Sequence, residues 1–279
     1  SLITPKLLML SGIGNEKDLK NHNIECKINL PGVGENLIDH PEVPIIAKAN
    51  GSYGYYKQGE GWRMLKNGLE FLLFGTGPVN STGVEAGAFI NPFNLKALPQ
   101  IQVFFLSNMY MNSDTIGKIK EDYGMSLTTV VTKPKSRGNV KLNSNNPDDP
   151  PLINLNLLKH KDDMAMMIAG QRFFIDAFKK GPLGKKVKEI ILPNPSKLDD
   201  LALEKHCKKY VRTDYHPSGT AKMGADNDKL AVLDSKMRVR GINNLRVCDL
   251  SAVPNINSGN TSAPAMMLGL RCGDLILDY

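Results

Sequence analysis

Residues Leu245 to Pro264 read LRVCDLSAVPNINSGNTSAP: a short apolar run finishing on Asp249, a polar loop over Ser251–Ala263, and a proline heading a second apolar pattern. The apolar and branched residues of Leu245–Asp249 predict a short buried strand. Pro264 predicts the first turn of a helix running to about Leu277, because the N–H that proline lacks would find no partner in that turn anyway. An acid at a strand's carboxyl end, a glycine-containing polar loop and a helix N-terminus together aim backbone N–H groups at a polar or negatively charged ligand. An ordinary strand-loop-helix connection has the same outline, so this segment alone leaves both readings open.

A second stretch, DYHPSGTAKMG (Asp214–Gly224), adds weight. Pro217 and Gly219 hold His216 in a frame that neither a helix nor a central strand would choose. If an asparagine of the polar loop faces it, the pair can grip a hydroxyl: neutral imidazole takes the proton and the amide holds the oxygen. Other catalytic classes fare worse. The chain has no GxSxG nucleophile elbow, no Walker A sequence and no HExxH zinc motif. Its GxG pairs, Gly12/Gly14, Gly32/Gly34, Gly59/Gly61 and Gly75/Gly77, lack a third glycine and follow no good strand, so the chain carries no dinucleotide fingerprint of its own.

Elsewhere the pattern predicts elements with few surprises. Thr4-Pro5 opens a short buried helix that Gly12 and Gly14 stop, and LPGVGENLIDHP (residues 30–41) is a loop that brings Asn36, Asp39 and His40 close together. Trp62–Phe74 has helical spacing; Val43–Ala47, Ile101–Leu106, Leu127–Thr132 and Gly138–Leu142 favour strands. Asp162–Lys180 is a helix with acids at its start, lysines at its end, and Met164, Met167, Ile168, Phe174 and Phe178 at core spacing. The middle region therefore reads as a sheet with helices on one side. No repeat or low-complexity segment interrupts it.

With 279 residues, 41% of them hydrophobic and 23% charged, the chain can bury a substantial core. No apolar run reaches the roughly 20 residues of a membrane span. The formal charge of +7 is spread along the chain, and the lysines between Lys179 and Lys188 lack interleaved aromatics, so they read as a solvated helix end rather than a nucleic-acid surface. Cys26, Cys207, Cys248 and Cys272 have no metal-like spacing and read as core thiols or at most one disulfide. Sequons at Asn50, Asn80 and Asn260 permit secretion without showing it. The chain begins without methionine and enters structured pattern at once, as a piece of a longer protein would.

TPKLLMLSGIG (residues 4–14), LPGVGENLIDHP (30–41), PKSRG (134–138), YHPSGT (215–220), LRVCD (245–249) and SGNTSAP (258–264) together resemble the C-terminal part of a glucose-methanol-choline (GMC) flavin oxidoreductase, of the insect glucose-dehydrogenase-like type. The resemblance implies a mixed architecture, α/β plus α+β: part of a GMC-type FAD-binding domain (1–42 and 210–279) interleaved with a substrate domain (43–209) built on an antiparallel sheet with helices. It implies His216 as general base on an alcohol or sugar, Asn260 as its assistant, and Asp249, Leu250, Asn260, Thr261 and Ser262 along the FAD. Asn36, Asp39 and His40 would brace their loop, and Arg137 would hold a turn. The expected acceptor is oxygen or a quinone; secretion is the implied location. Within the same family's reach lie an FAD-containing lyase acting on a cyanohydrin and a non-catalytic truncated domain. The family's N-terminal half with its GxGxxG turn is absent from this chain, which alone is expected to hold FAD weakly or not at all.

Overall fold

A computed structural model describes residues 1–111 and 119–277. The chain divides into two compact units: Ser1–Pro41, Thr132–His160 and Thr213–Tyr279 form the first, Glu42–Val131 and Lys161–Arg212 the second. The stretch Thr132–His160, placed in the middle region by the sequence reading, is thus counted with the terminal segments.

The second unit is an antiparallel sheet with helices. Ala86–Ile90, Ile101–Leu106, Gly124–Val131 and Pro41–Ala49 are neighbours in that order, and Val187–Leu192 also pairs with Pro41–Ala49. Ile45 opposes Leu127 and Val103 opposes Thr129. Every residue of Gly124–Val131 is buried, which the run of small and branched side chains permits in a central strand. The helix Lys161–Lys179 lies against this sheet. Gly170 lets it approach, since a Cβ there would come within 3.2 Å of Ile101 and Thr129 side chains. Gln171 Nε2 donates to Val43 O at 3.0 Å, satisfying a polar group inside the contact. Met164, Met167, Phe174 and Phe178 are buried as the spacing predicts, Ile168 is only half-buried, and Met166 and Ile175 join the buried set. The helix Gly61–Phe74 ends at Gly75 in the left-handed region (φ 64°), with Trp62, Leu65, Leu69 and Leu72 exposed.

The first unit has little regular sheet. The helix Ile3–Leu10 buries Leu8 and Met9 in a core with Ile13, Leu19, Leu233 and Val247. Expected strand Leu245–Asp249 is not a regular strand: its one bridge is Arg246 to Arg238. The segment it pairs with reaches Met237, and both Met237 (φ 60°) and Asn244 (φ 62°) are left-handed, so the backbone curls away before a ladder can extend. Asp249 caps a one-turn 3₁₀ helix, Leu250–Ala252, instead of ending a strand. The C-terminal helix spans Ser262–Ile276, with Pro264 in its first turn.

Candidate active site

Two His-Pro dipeptides meet in the first unit. Proline biases the preceding residue toward extended backbone, and the segments carrying His40-Pro41 and His216-Pro217 run antiparallel. Ile38 and Ser218 exchange main-chain bonds of 2.9 and 2.8 Å, and Asp214 N–H donates to His40 O at 3.0 Å. Gly219 sits at φ 86°, where a Cβ would fall 2.7 Å from Asn36 O, so a side chain would both strain and push apart this crossing. Asn36 Nδ2 donates to Gly219 O (3.1 Å) and Pro254 O (3.3 Å), while Arg137 donates to Asn36 Oδ1 (3.1 Å) and Asn255 Oδ1 (3.0 Å). Asn36 and Arg137 thus act as braces between loops.

Asp39 fixes the backbone of the histidine itself. Its Oδ1 accepts the main-chain N–H of His216 at 3.0 Å, and its Oδ2 accepts the Thr213 hydroxyl. Burial raises the Asp39 pKa, against the lowering effect of these hydrogen bonds.

The two imidazoles stand edge-on, 86° between planes, with His40 Nδ1 3.0 Å from His216 Nδ1. His40 is fully buried and His216 is 9% exposed. His40 Nε2 faces two carbonyl oxygens, Thr132 O at 3.1 Å and Asn257 O at 3.0 Å. Burial, and next the neighbouring His216, push the His40 pKa down to about 4. Asp214 Oδ2 lies 3.2 Å from His216 Nδ1 and has no well-aligned hydrogen bond of its own. The donor atoms of His40, Asp214 and His216 lie within 4.8 Å of one another, the metal-like grouping found among the described residues. Here both Nδ1 atoms are turned to each other, so a hydrogen bond accounts for their closeness.

The polar loop is tied to this pair through Asn257. Its carbonyl receives His40 Nε2, and its Nδ2 donates to Gly259 O (2.7 Å) and Asn260 O (3.1 Å). Asn260, an expected site residue, is exposed, as is Ser262, whereas Thr261 is buried. The helix that follows begins without a side-chain cap. Leu250 O accepts Gly219 N–H at 2.9 Å, which joins the His216 loop to the Asp249 turn. Asp249 itself is occupied: it accepts the Thr4 hydroxyl at 2.7 Å and Ser251 N–H at 2.6 Å. Burial would raise its pKa, but these bonds hold it below the usual carboxylate value. Sequence reasoning had His40 as a loop brace and gave Asp214 no role; the signal was the repeated His-Pro and the acid two residues before the second one.

Residues 134–269 match the C-terminal model of the GMC oxidoreductase family. The chain is 36% identical over 278 residues to an oxygen-dependent choline dehydrogenase of Brucella anthropi, covering 99% of this chain and 50% of that protein. It is 35% identical over 278 residues to an alcohol dehydrogenase [acceptor] of Pseudomonas putida, covering 98% and 49%. A formate oxidase of Aspergillus oryzae, studied for modification of its FAD, superposes with a TM-score of 0.87 at 28% identity, over 99% of this chain and 52% of that one. The chain spans about half the length of the curated relatives it matches. These matches place residues 134–269 in the C-terminal domain of the GMC oxidoreductase family.

Proposed function

We propose that this GMC-family chain is the part of an FAD-dependent oxidoreductase that takes the hydroxyl proton from an alcohol or sugar, with His216 as general base. The observation that carries this is the way His216 is held. Its main-chain N–H is clamped by Asp39 and its Nδ1 is engaged by His40, while its Nε2 makes no hydrogen bond among the described residues. A fixed imidazole with one bare nitrogen is the arrangement a base needs, since an alcohol is a poor hydride donor until its proton is being removed.

The residues present fit a flavin. The helix Ser262–Ile276 starts uncapped, with exposed Asn260 immediately before its N-cap residue Thr261. Its amide end would favour negative charge nearby. Asn260, Thr261 and Ser262 would hold the ring side, with Asp249 and Leu250 setting the neighbouring turn. FAD, when bound, supplies the hydride acceptor at its N5. Asn260 would hold the substrate oxygen while His216 Nε2 takes the proton. The second unit, with its antiparallel sheet, would be the substrate domain, and oxygen or a quinone the final acceptor. The insect glucose-dehydrogenase-like subtype rests on the motif set alone, and the similarity to choline dehydrogenases adds choline to the candidate alcohols.

The test uses the full-length protein, purified with its flavin and mixed without oxygen with choline, primary alcohols and glucose. Bleaching of the flavin by one of them is expected. A flavin that stays oxidised with every alcohol while the protein cleaves a cyanohydrin would favour a lyase instead. This chain expressed alone is expected to carry far less FAD than the full-length protein, measured by visible absorbance per polypeptide.

A further inference from the structure

The His40–His216 contact contains more information than its length, because the partners on the far side of His40 settle which ring carries which proton. His40 Nε2 faces Thr132 O and Asn257 O, both acceptors, so Nε2 must carry the proton. A pKa near 4 keeps His40 neutral at ordinary pH, which leaves its Nδ1 bare. A bare nitrogen 3.0 Å from His216 Nδ1 can only accept, so His216 must donate from Nδ1. We propose that His40 is a positioning residue for the reaction: it fixes His216 in the Nδ1–H tautomer and thereby leaves Nε2 as the lone pair that takes the substrate proton.

The relay runs from two backbone carbonyls through His40 to His216, and the carbonyls cannot change protonation. The tautomer is therefore set by the fold rather than by pH. Asp214 Oδ2, at 3.2 Å, lies on the same side of His216 and reinforces the choice, since only an Nδ1–H interacts favourably with it. When His216 takes a second proton on Nε2, the Nδ1–H bond to His40 persists and strengthens, because the donor is now cationic. His40 thus stabilises the charged product of proton transfer as well as the correct starting tautomer. The titratable groups in contact with His216 are His40, Asp214 and, through the main chain, Asp39.

The proposal rests on the base reading of His216, and the experiment separates the two. In the full-length flavoprotein labelled with ¹⁵N-histidine, imidazole nitrogen shifts report which ring nitrogen bears hydrogen. The His216 signals, assigned by their loss in His216→Gln, are expected to show Nδ1 protonated and Nε2 bare in the neutral ring. Two variants divide the functions of His40. In His40→Gln the amide N–H can still reach the Thr132 and Asn257 carbonyls, but the acceptor at the Nδ1 position is gone; His40→Asn keeps an acceptor there and loses the carbonyl bonds. The expected result is a mixed His216 tautomer in His40→Gln, a fall in kcat/KM of roughly 10- to 100-fold, less than the full contribution of a general base, and an acidic limb, where the base must lose its proton, moved to lower pH. His40→Asn should retain the Nδ1–H signature and most of the kcat, even where it lowers stability. An Nε2–H tautomer in the unmodified protein, or an unchanged tautomer and pH profile in His40→Gln, would overturn the proposal. Normal alcohol oxidation in His216→Ala, with the Nδ1–H signature intact in the parent, would instead overturn the base reading and leave the tautomer clamp supported.

Discussion

A buried histidine that resists ionisation ties stability to pH, and two among the described residues do so. His40 and His206 are both buried, and burial is the leading cause that pushes each pKa down to about 4 from 6.5. His206 Nε2 faces Pro44 O at 3.2 Å. Between pH 6.5 and about 4 the unfolded chain binds these protons and the folded one does not, so the stability they contribute is intact above pH 6.5 and lost on acidification through that window. Each site is worth on the order of 3 kcal/mol across it. Asp39 acts in the opposite sense, because its raised pKa makes the folded state hold a proton longer above pH 3.8. The histidines outnumber it. The urea midpoint of the protein should therefore fall as pH drops from 6.5 to 4, and His206→Gln should remove about half of that dependence; a midpoint flat across the window would contradict the burial account. At this scale the sequence showed that His216 was held, through Pro217 and Gly219, yet could not show what held it. Asp39 and His40 lie more than 170 positions away, and no local rule links them.

Among elements, long periodic ones were legible and short ones set by tertiary contacts were not. The Ile101–Leu106 strand and the Lys161–Lys179 helix emerge from side-chain period alone. Leu245–Asp249 has the composition of a strand, but the left-handed residues Met237 and Asn244 beside it decide the outcome, and branched composition does not report them. In sequence the four cysteines read as core thiols or at most one disulfide. Cys248 and Cys272 are in fact bonded, tying the segment after that bridge to the C-terminal helix, while Cys26 and Cys207 are free. Burial pushes the Cys207 thiol up to about 12, so it should react slowly while the protein is folded. Closing a loop with a sequence separation of 24 should contribute about 3 kcal/mol. Denatured, unreduced protein should titrate with two thiols from this chain and with four after reduction, and Cys272→Ser should lower the melting temperature. Four reactive thiols before reduction would show the bond is not formed.

Over the whole molecule, the family was legible because its motifs sit in loops whose geometry allows few residues: Gly219 for a positive φ, Asn36 for a brace, and proline after His40 and His216. Substrate choice was not, because the middle of the sequence is written in ordinary sheet and helix composition and carries no motif with a chemical reading. Of the cofactor contacts expected from sequence, Asp249 accepts bonds from Thr4 and Ser251, Thr261 is buried, and Asn260 and Ser262 are exposed at the start of the C-terminal helix. In the proposed reaction His216 removes the proton that lets the alcohol give up its hydride. The decisive experiment follows the rate of flavin bleaching by substrate in the oxygen-free full-length protein carrying His216→Ala, with flavin content checked by absorbance. Flavin should be retained and reduction slowed by roughly 100-fold or more. Reduction at nearly the parent rate, with flavin equally bound, would contradict it.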